Sequence, residues 1–193
     1  MKARRRVLVL LGLAAVVVGG AAIVVPMLDR AVREVTLPLR HEDIIRQQAQ
    51  DKGLDPALVA AVIFAESKFR DATSSTGAKG LMQIQPDTAK FIARRSGGTQ
   101  FEIDDLGTPQ INIQYGTYYL RYLLDRYDDN VVLAVAAYNA GETNVAKWLT
   151  RSQHTDRQFD IDDIPFPETR AYARRVLDAE RDYRREYRSE LGL

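Results

Sequence analysis

The sequence holds 193 residues, 46% hydrophobic and 27% charged, proportions of a chain that folds around a core and not of a disordered, collagenous or mucin-like one. It has no cysteine, and its two histidines, His41 and His154, stand far apart, which excludes disulfides, iron–sulfur clusters and thiolate zinc sites; no metal and no organic cofactor is expected. The net charge of +1 hides an asymmetry: Lys2, Arg4, Arg5 and Arg6 open the chain, leaving 23 basic against 26 acidic residues, a net of −3, the wrong sign for a nucleic-acid surface.

From Val7 to Leu28 no residue carries a charge. As a helix that run would span about 33 Å, enough for a hydrocarbon core of about 30 Å. The basic MKARRR before it would stay cytoplasmic, placing everything after Asp29 outside. A cleaved secretory signal is the competing reading, but its apolar stretch usually runs about 7–15 residues and ends in small residues. Here Gly19 to Ala22 lies inside the run. The expected organisation is a basic flank and single-pass transmembrane anchor over 1–28, a tether over 29–40 with Pro38 in it, and a folded domain over 41–193.

That domain reads as all-α. A helix over 42–52 ends at Gly53, and Asp55-Pro56 supplies the cap and first residue of a second, ALVAAVIFAESKF, apolar nearly all round and therefore central. A Ser-, Thr- and Gly-rich loop runs from Asp71 to Gly80, and Pro86 starts a short helix that fades at Ser96. Thr108-Pro109 opens a long helix with Ile111, Tyr115, Tyr118 or Tyr119, and Tyr122 at helical spacing. Asn130 caps VVLAVAAYN, which Gly141 stops, and a polar connector runs from about Arg151 to Ile164. Pro167 begins a terminal helix with Tyr172, Val176, Ala179 and Tyr183 on one stripe. Strict two-residue alternation is missing over any useful length, so no sheet is expected.

Glu66 is the one carboxylate in the apolar second helix. Lost solvation there raises a carboxyl pKa and keeps it protonated near neutrality, able to give a proton to a leaving oxygen and later take one back. It could equally point to solvent and pair with Lys68 or Arg70. The other candidates also fit plain roles: Glu168 in the first turn of a helix, Tyr138 and Tyr172 in the core, Asn139 ending a helix, Ser74, Ser75, Gly77 and Gly80 in turns, Met82 in the core. The pairs Asp104-Asp105, Asp128-Asp129 and Asp162-Asp163 lie among loop-forming residues, and RRVLDAERDYRREYR reads as a salt-bridged exposed face.

Order along the chain changes the weighing. AESKF, TSSTGAKGLMQI, AYNAG and PETRAYARRVL follow one another in a pattern that resembles the family 1 lytic transglycosylases, over residues 41 to 188. The resemblance implies a lysozyme-like helical domain in which Glu66 acts as general acid and then general base. It implies that Gly77, Gly80 and Leu81 shape a turn close to the glycan, and that Met82 and Gln83 line the sugar site. A serine three residues before Gly77 would hold the N-acetyl sugar, which selects Ser74; this sequence is one residue shorter after Phe69, and counting forward from Glu66 selects Ser75. Tyr138 and Asn139 would form a cleft wall, and Glu168 and Tyr172 would orient substrate and the acid.

The implied partner is the peptidoglycan glycan strand, and the implied reaction cleaves the β-1,4 bond between N-acetylmuramic acid and N-acetylglucosamine without water, leaving a 1,6-anhydro ring. Most glycosidases instead employ two carboxylates. A goose-type-lysozyme-like muramidase, with Asp71 or Asp87 directing a water molecule, is one rival; a non-catalytic peptidoglycan-binding anchor is another.

Overall fold

The structure is a computed structural model that describes residues 24–25, 27–28, 31–97, 100–152 and 159–193. The chain divides into two units, Met1–Pro38 and Leu39–Leu193. The expected span Val7–Leu28 lies almost wholly outside the described residues, among which no helix is long and apolar enough to cross a membrane. The expected tether is helical over 31–36, where no glycine or proline interrupts the chain before Pro38 and Thr36 Oγ1 donates back to the Val32 carbonyl (2.8 Å).

In the second unit every extended element among the described residues is a helix: α1 (Glu42–Lys52), α2 (Pro56–Ser67), α3 (Pro86–Ser96), α4 (Pro109–Arg126), α5 (Val131–Ala140), α6 (Glu142–Ser152) and α7 (Pro167–Glu186), with 3₁₀ turns at Ile103–Gly107 and Ile161–Asp163. Two isolated bridges, Thr73 with Lys79 and Lys79 with Ile84, fold the loop between α2 and α3 back on itself. Local chemistry sets the helix starts. Asp55 accepts from the Ala57 N–H (2.8 Å) and Asn130 from the Leu133 N–H (3.1 Å), while α2, α3, α4 and α7 begin with a proline whose missing N–H costs a helix nothing at that position.

The core forms where the two unbroken apolar helices meet their neighbours. Residues Ala57 to Ile63 of α2 are each 3% exposed or less, and α2 packs along α7, whose Tyr172, Val176, Ala179 and Tyr183 are all buried as the stripe predicts. The helix α5 lies against both α4 and α7. Each large aliphatic side chain buried here is worth about 1.5–3 kcal/mol relative to exposure.

Two features differ from the sequence expectation. The helix α6 follows Gly141 directly and buries Val145 and Trp148, which with Leu149 stand at helical spacing on one face, although no element is expected there; Asn144 Nδ2 closes the junction on the Ala140 carbonyl (2.8 Å). On α4 the inward stripe is Ile113, Gly116, Leu120, Leu123 and Leu124, and the tyrosines stand half-buried beside it. A phenol hydroxyl needs a polar neighbour, so aliphatic residues take the dry side.

Candidate active site

Glu66 sits in the last turn of α2, and the two residues after Ser67, Lys68 (φ 53°) and Phe69 (φ 59°), both adopt the left-handed conformation, which breaks the helix sharply. Phe69 then buries against Tyr183. This leaves a half-buried carboxyl at the end of an apolar cylinder. Tyr172, 2% exposed on α7, donates its hydroxyl to Glu66 Oε1 at 2.6 Å.

Burial pushes the Glu66 carboxyl up from 4.5 to about 7, against the opposing pull of the Tyr172 hydrogen bond and of the Arg175 guanidinium. The cation whose charge reaches Glu66 is thus Arg175, from α7 and not the sequence neighbours Lys68 or Arg70; Arg70 turns onto the Ser67 carbonyl instead. An acid that holds its proton to about pH 7 beside a donor that can stabilise the resulting carboxylate is equipped to deliver a proton and recover it.

The loop between α2 and α3 supplies the facing element. Gly80 (φ +76°) brings its backbone so close to Asn112 that a Cβ there would lie 2.0 Å from Asn112 Nδ2 and 2.6 Å from the Leu106 carbonyl. Buried Asn112 spends its amide on this turn: Oδ1 accepts from the Met82 N–H (2.8 Å), and Nδ2 donates to the Lys79 and Leu106 carbonyls (2.9 Å each). The Met82 side chain is fully buried, seated on Gly116, where a Cβ would meet its Sδ at 2.2 Å. Gln83, also left-handed (φ 47°), donates Nε2 to the Ala72 and Gly80 carbonyls at 2.8 Å each.

The helix α5 reaches the same place. Tyr138 donates its hydroxyl to the Met82 carbonyl (3.0 Å) and its ring lies 5.4 Å from that of Tyr119. Burial, and next to it the charge of Glu66, keep the Tyr138 phenol neutral far above its ordinary range. The exposed Asn139 accepts through Oδ1 from Thr169 Oγ1 (2.9 Å), a buried residue in the first turn of α7.

The structure therefore brings Glu66 and Tyr172 into contact, and Tyr138 onto the Met82 backbone, while Met82 itself points into the core. Ser74 Oγ accepts from the Ala78 N–H (3.0 Å) and shares a hydrogen bond with Thr76 Oγ1 (2.9 Å), closing its own turn; Ser75 is exposed. Glu168 is exposed on α7, which reaches the site through Thr169 and Tyr172. Asp71 is exposed, as is Asp87, whose side chain is 99% accessible. Among the described residues no group of three His, Asp or Glu side chains could hold a metal ion. Sequence inspection passes over Asn112, Gly116, Thr169 and Arg175. Asn112 carries a signal as a polar residue beside Ile113 on the inward stripe of α4, and Thr169 and Arg175 lie inside the PETRAYARRVL motif.

Residues 43–161 match the family model described as the Transglycosylase SLT domain. The soluble lytic murein transglycosylase of Salmonella typhimurium is 35% identical over 159 residues, 78% of this chain and 24% of that protein. The membrane-bound lytic murein transglycosylase C of Glaesserella parasuis is 34% identical over 112 residues, 53% of this chain and 31% of that one. Among solved structures, an inactive glutamate-to-glutamine mutant of the lytic transglycosylase Slt from Pseudomonas aeruginosa superposes with a TM-score of 0.73 at 34% identity, covering 81% of this chain and 26% of its own. The chain thus spans about a quarter of the length of these Salmonella and Pseudomonas relatives. With well over half of its residues under that family model, and an all-helical fold shared with a solved member, the chain belongs to the transglycosylase SLT domain family.

Proposed function

We propose that this protein is a membrane-anchored peptidoglycan lytic transglycosylase in which Glu66 is the acid and base. Glu66 gives its proton to the oxygen linking N-acetylmuramic acid to N-acetylglucosamine, the bond to C1 breaks with help from the sugar's own N-acetyl group, and Tyr172 holds the new carboxylate. That carboxylate then takes the proton of the muramic 6-hydroxyl as its oxygen bonds to C1. The products are a 1,6-anhydro end and a free 4-hydroxyl, no water is consumed, and Glu66 ends as it began. Holding the 6-hydroxyl near C1 converts the second step into an intramolecular one of high effective molarity.

The observation that carries this reading is the half-buried Glu66 carboxyl, pushed up to about 7 and hydrogen-bonded by Tyr172 at 2.6 Å. That a glutamate-to-glutamine change inactivates the Pseudomonas relative supports a reaction hung on one glutamate. The charged neighbour of Glu66 is a cation, and a water-directing Asp71 or Asp87 would have to act from an exposed position. In this reading Tyr138, Asn139, Gln83, Glu168 and one of Ser74 and Ser75 meet the sugars, and Met82 contributes its backbone and its support of the turn. Val7 to Leu28 anchors the chain, with the domain outside the cytoplasmic membrane; membrane-bound relatives support this.

Digesting purified glycan strands and weighing the products tests the reaction. Anhydro ends, lighter by one water than reducing ends, are expected from the wild type and none from Glu66→Gln. Reducing ends would make the protein a muramidase, and no cleavage by the wild type would leave the binding anchor.

A further inference from the structure

The helical hydroxyls of Ser67, Thr117 and Thr150 donate to the carbonyl four residues back in their own helices, at 3.2, 2.6 and 3.0 Å. Thr169 does something else. It is the third residue of α7, so the carbonyl four back belongs to Pro165, ahead of the helix, and its hydroxyl leaves α7 to donate to Asn139 Oδ1 at 2.9 Å. At 3% exposure the residue needs a protein acceptor for that hydroxyl, and Asn139 provides it.

This contact decides which way an amide faces. A carboxamide has one accepting end and one donating end. With Oδ1 held by Thr169, Nδ2 is the end left open on an exposed residue, and among the described residues no group accepts from it. The Nδ2 groups of Asn112 and Asn144, by contrast, are tied to backbone carbonyls.

The orientation bears on the chemistry because of where Thr169 stands. Tyr172 lies about one turn further along α7, is buried as Thr169 is, and donates to Glu66 at 2.6 Å. One side of α7 thus holds the acid through Tyr172 and the amide through Thr169, with about 4.5 Å of helix rise between the two hydroxyl-bearing residues. From α5, Tyr138, the residue before Asn139, is fixed to the Met82 carbonyl at 3.0 Å.

Resting on the transglycosylase reading, we infer that Thr169 is a positioning residue: it touches no sugar, and by holding Asn139 Oδ1 it makes Asn139 a hydrogen-bond donor to an oxygen of the glycan beside the bond that Glu66 protonates. Without the hydroxyl the amide turns freely, and each binding event must then order it, which weakens binding.

The test uses the full chain and purified glycan strands. Thr169→Val keeps the shape and removes the hydroxyl, and Thr169→Ser keeps the hydroxyl. In Thr169→Val the KM is expected to rise about three- to tenfold, the worth of a single hydrogen bond, with kcat and the alkaline limb of the pH–rate profile unmoved because Tyr172 and Glu66 stay as they are. Thr169→Ser is expected to restore the KM. An unchanged KM in Thr169→Val, a KM that serine does not restore, or a displaced alkaline limb, which would mean that α7 itself has shifted, overturns the inference.

Binding read without turnover separates this from the reaction assignment. If the wild type cleaves no strand, that assignment fails on its own account, and titration with chitotriose, the uncharged N-acetylglucosamine trimer, decides the role of Thr169. The Asn139 side-chain amide signals are expected to shift with trimer in the wild type and in Thr169→Ser, and to need about three- to tenfold more trimer in Thr169→Val. No shift in the wild type, or the same midpoint in all three, overturns the inference. If Thr169→Val does not fold, Asn139→Asp decides: it keeps an acceptor for Thr169 and puts a second acceptor where the donor was, so affinity for trimer is expected to fall about tenfold, and an unchanged affinity overturns the inference.

Discussion

At the scale of single residues, the proposed chemistry turns on opposing influences on one carboxyl. Burial raises the Glu66 pKa and the Tyr172 hydroxyl lowers it, so removing that hydroxyl lets the value rise. Tyr172→Phe is therefore expected to move the alkaline limb of the pH–rate profile to higher pH while lowering kcat, because the carboxylate formed in the first step loses its donor. An alkaline limb that stays in place would mean that the 2.6 Å contact does not tune the acid.

The same shift links to stability. The unfolded chain gives up this proton near 4.5 and the folded chain near 7, so the stability owed to the neutral carboxyl is complete below about pH 4.5 and is lost as the pH rises to about 7. Glutamine has no proton to lose. Glu66→Gln is expected to be more stable than the wild type at pH 8 by about 1–3 kcal/mol, and to match it at pH 4. At about 2–4 °C per kcal/mol for a chain of this size, melting curves at the two pH values read this directly.

At the scale of elements, the turn over Gly80 to Gln83 is held from both sides of Met82, with Asn112 on its N–H and Tyr138 on its C=O. Its side chain needs the gap at Gly116. Gly116→Ala is expected to cost about 1–3 kcal/mol by overpacking and to reduce activity by displacing the turn. Adding Met82→Ala to it should cost less than the two changes summed, since each relieves the other; strict additivity in urea denaturation would show the two sites uncoupled.

The helix starts of this framework are legible from sequence because caps and prolines act within a turn of where they stand: Asp55-Pro56, Pro109, Asn130 and Pro167 all begin the helices their positions announce. The helix α6 is not, because a proper stop signal at Gly141 does not reveal that a new helix starts one residue later.

At the scale of the whole molecule, the uncharged run from Val7 to Leu28 predicts an integral membrane protein. The full chain is expected to stay with the membrane fraction through high salt and alkaline carbonate, and a chain beginning at Leu39 to leave it. Release of the full chain by carbonate would reduce the run to a cleaved or peripheral segment.

The sequence by itself determined the all-helical class and the order of the four motifs, because composition and periodicity are properties of neighbouring residues, and the resemblance carried by those motifs is what proposes Glu66 as the acid. Partnership was decided only in three dimensions. Glu66 meets a hydroxyl 106 positions away and the charge of Arg175 in place of the adjacent Lys68 or Arg70. Thr169, and not Glu168 beside it, turns toward Asn139. Successive residues of a helix point about 100° apart, so which of two neighbours faces a distant element depends on how the helices pack, and no local pattern records that.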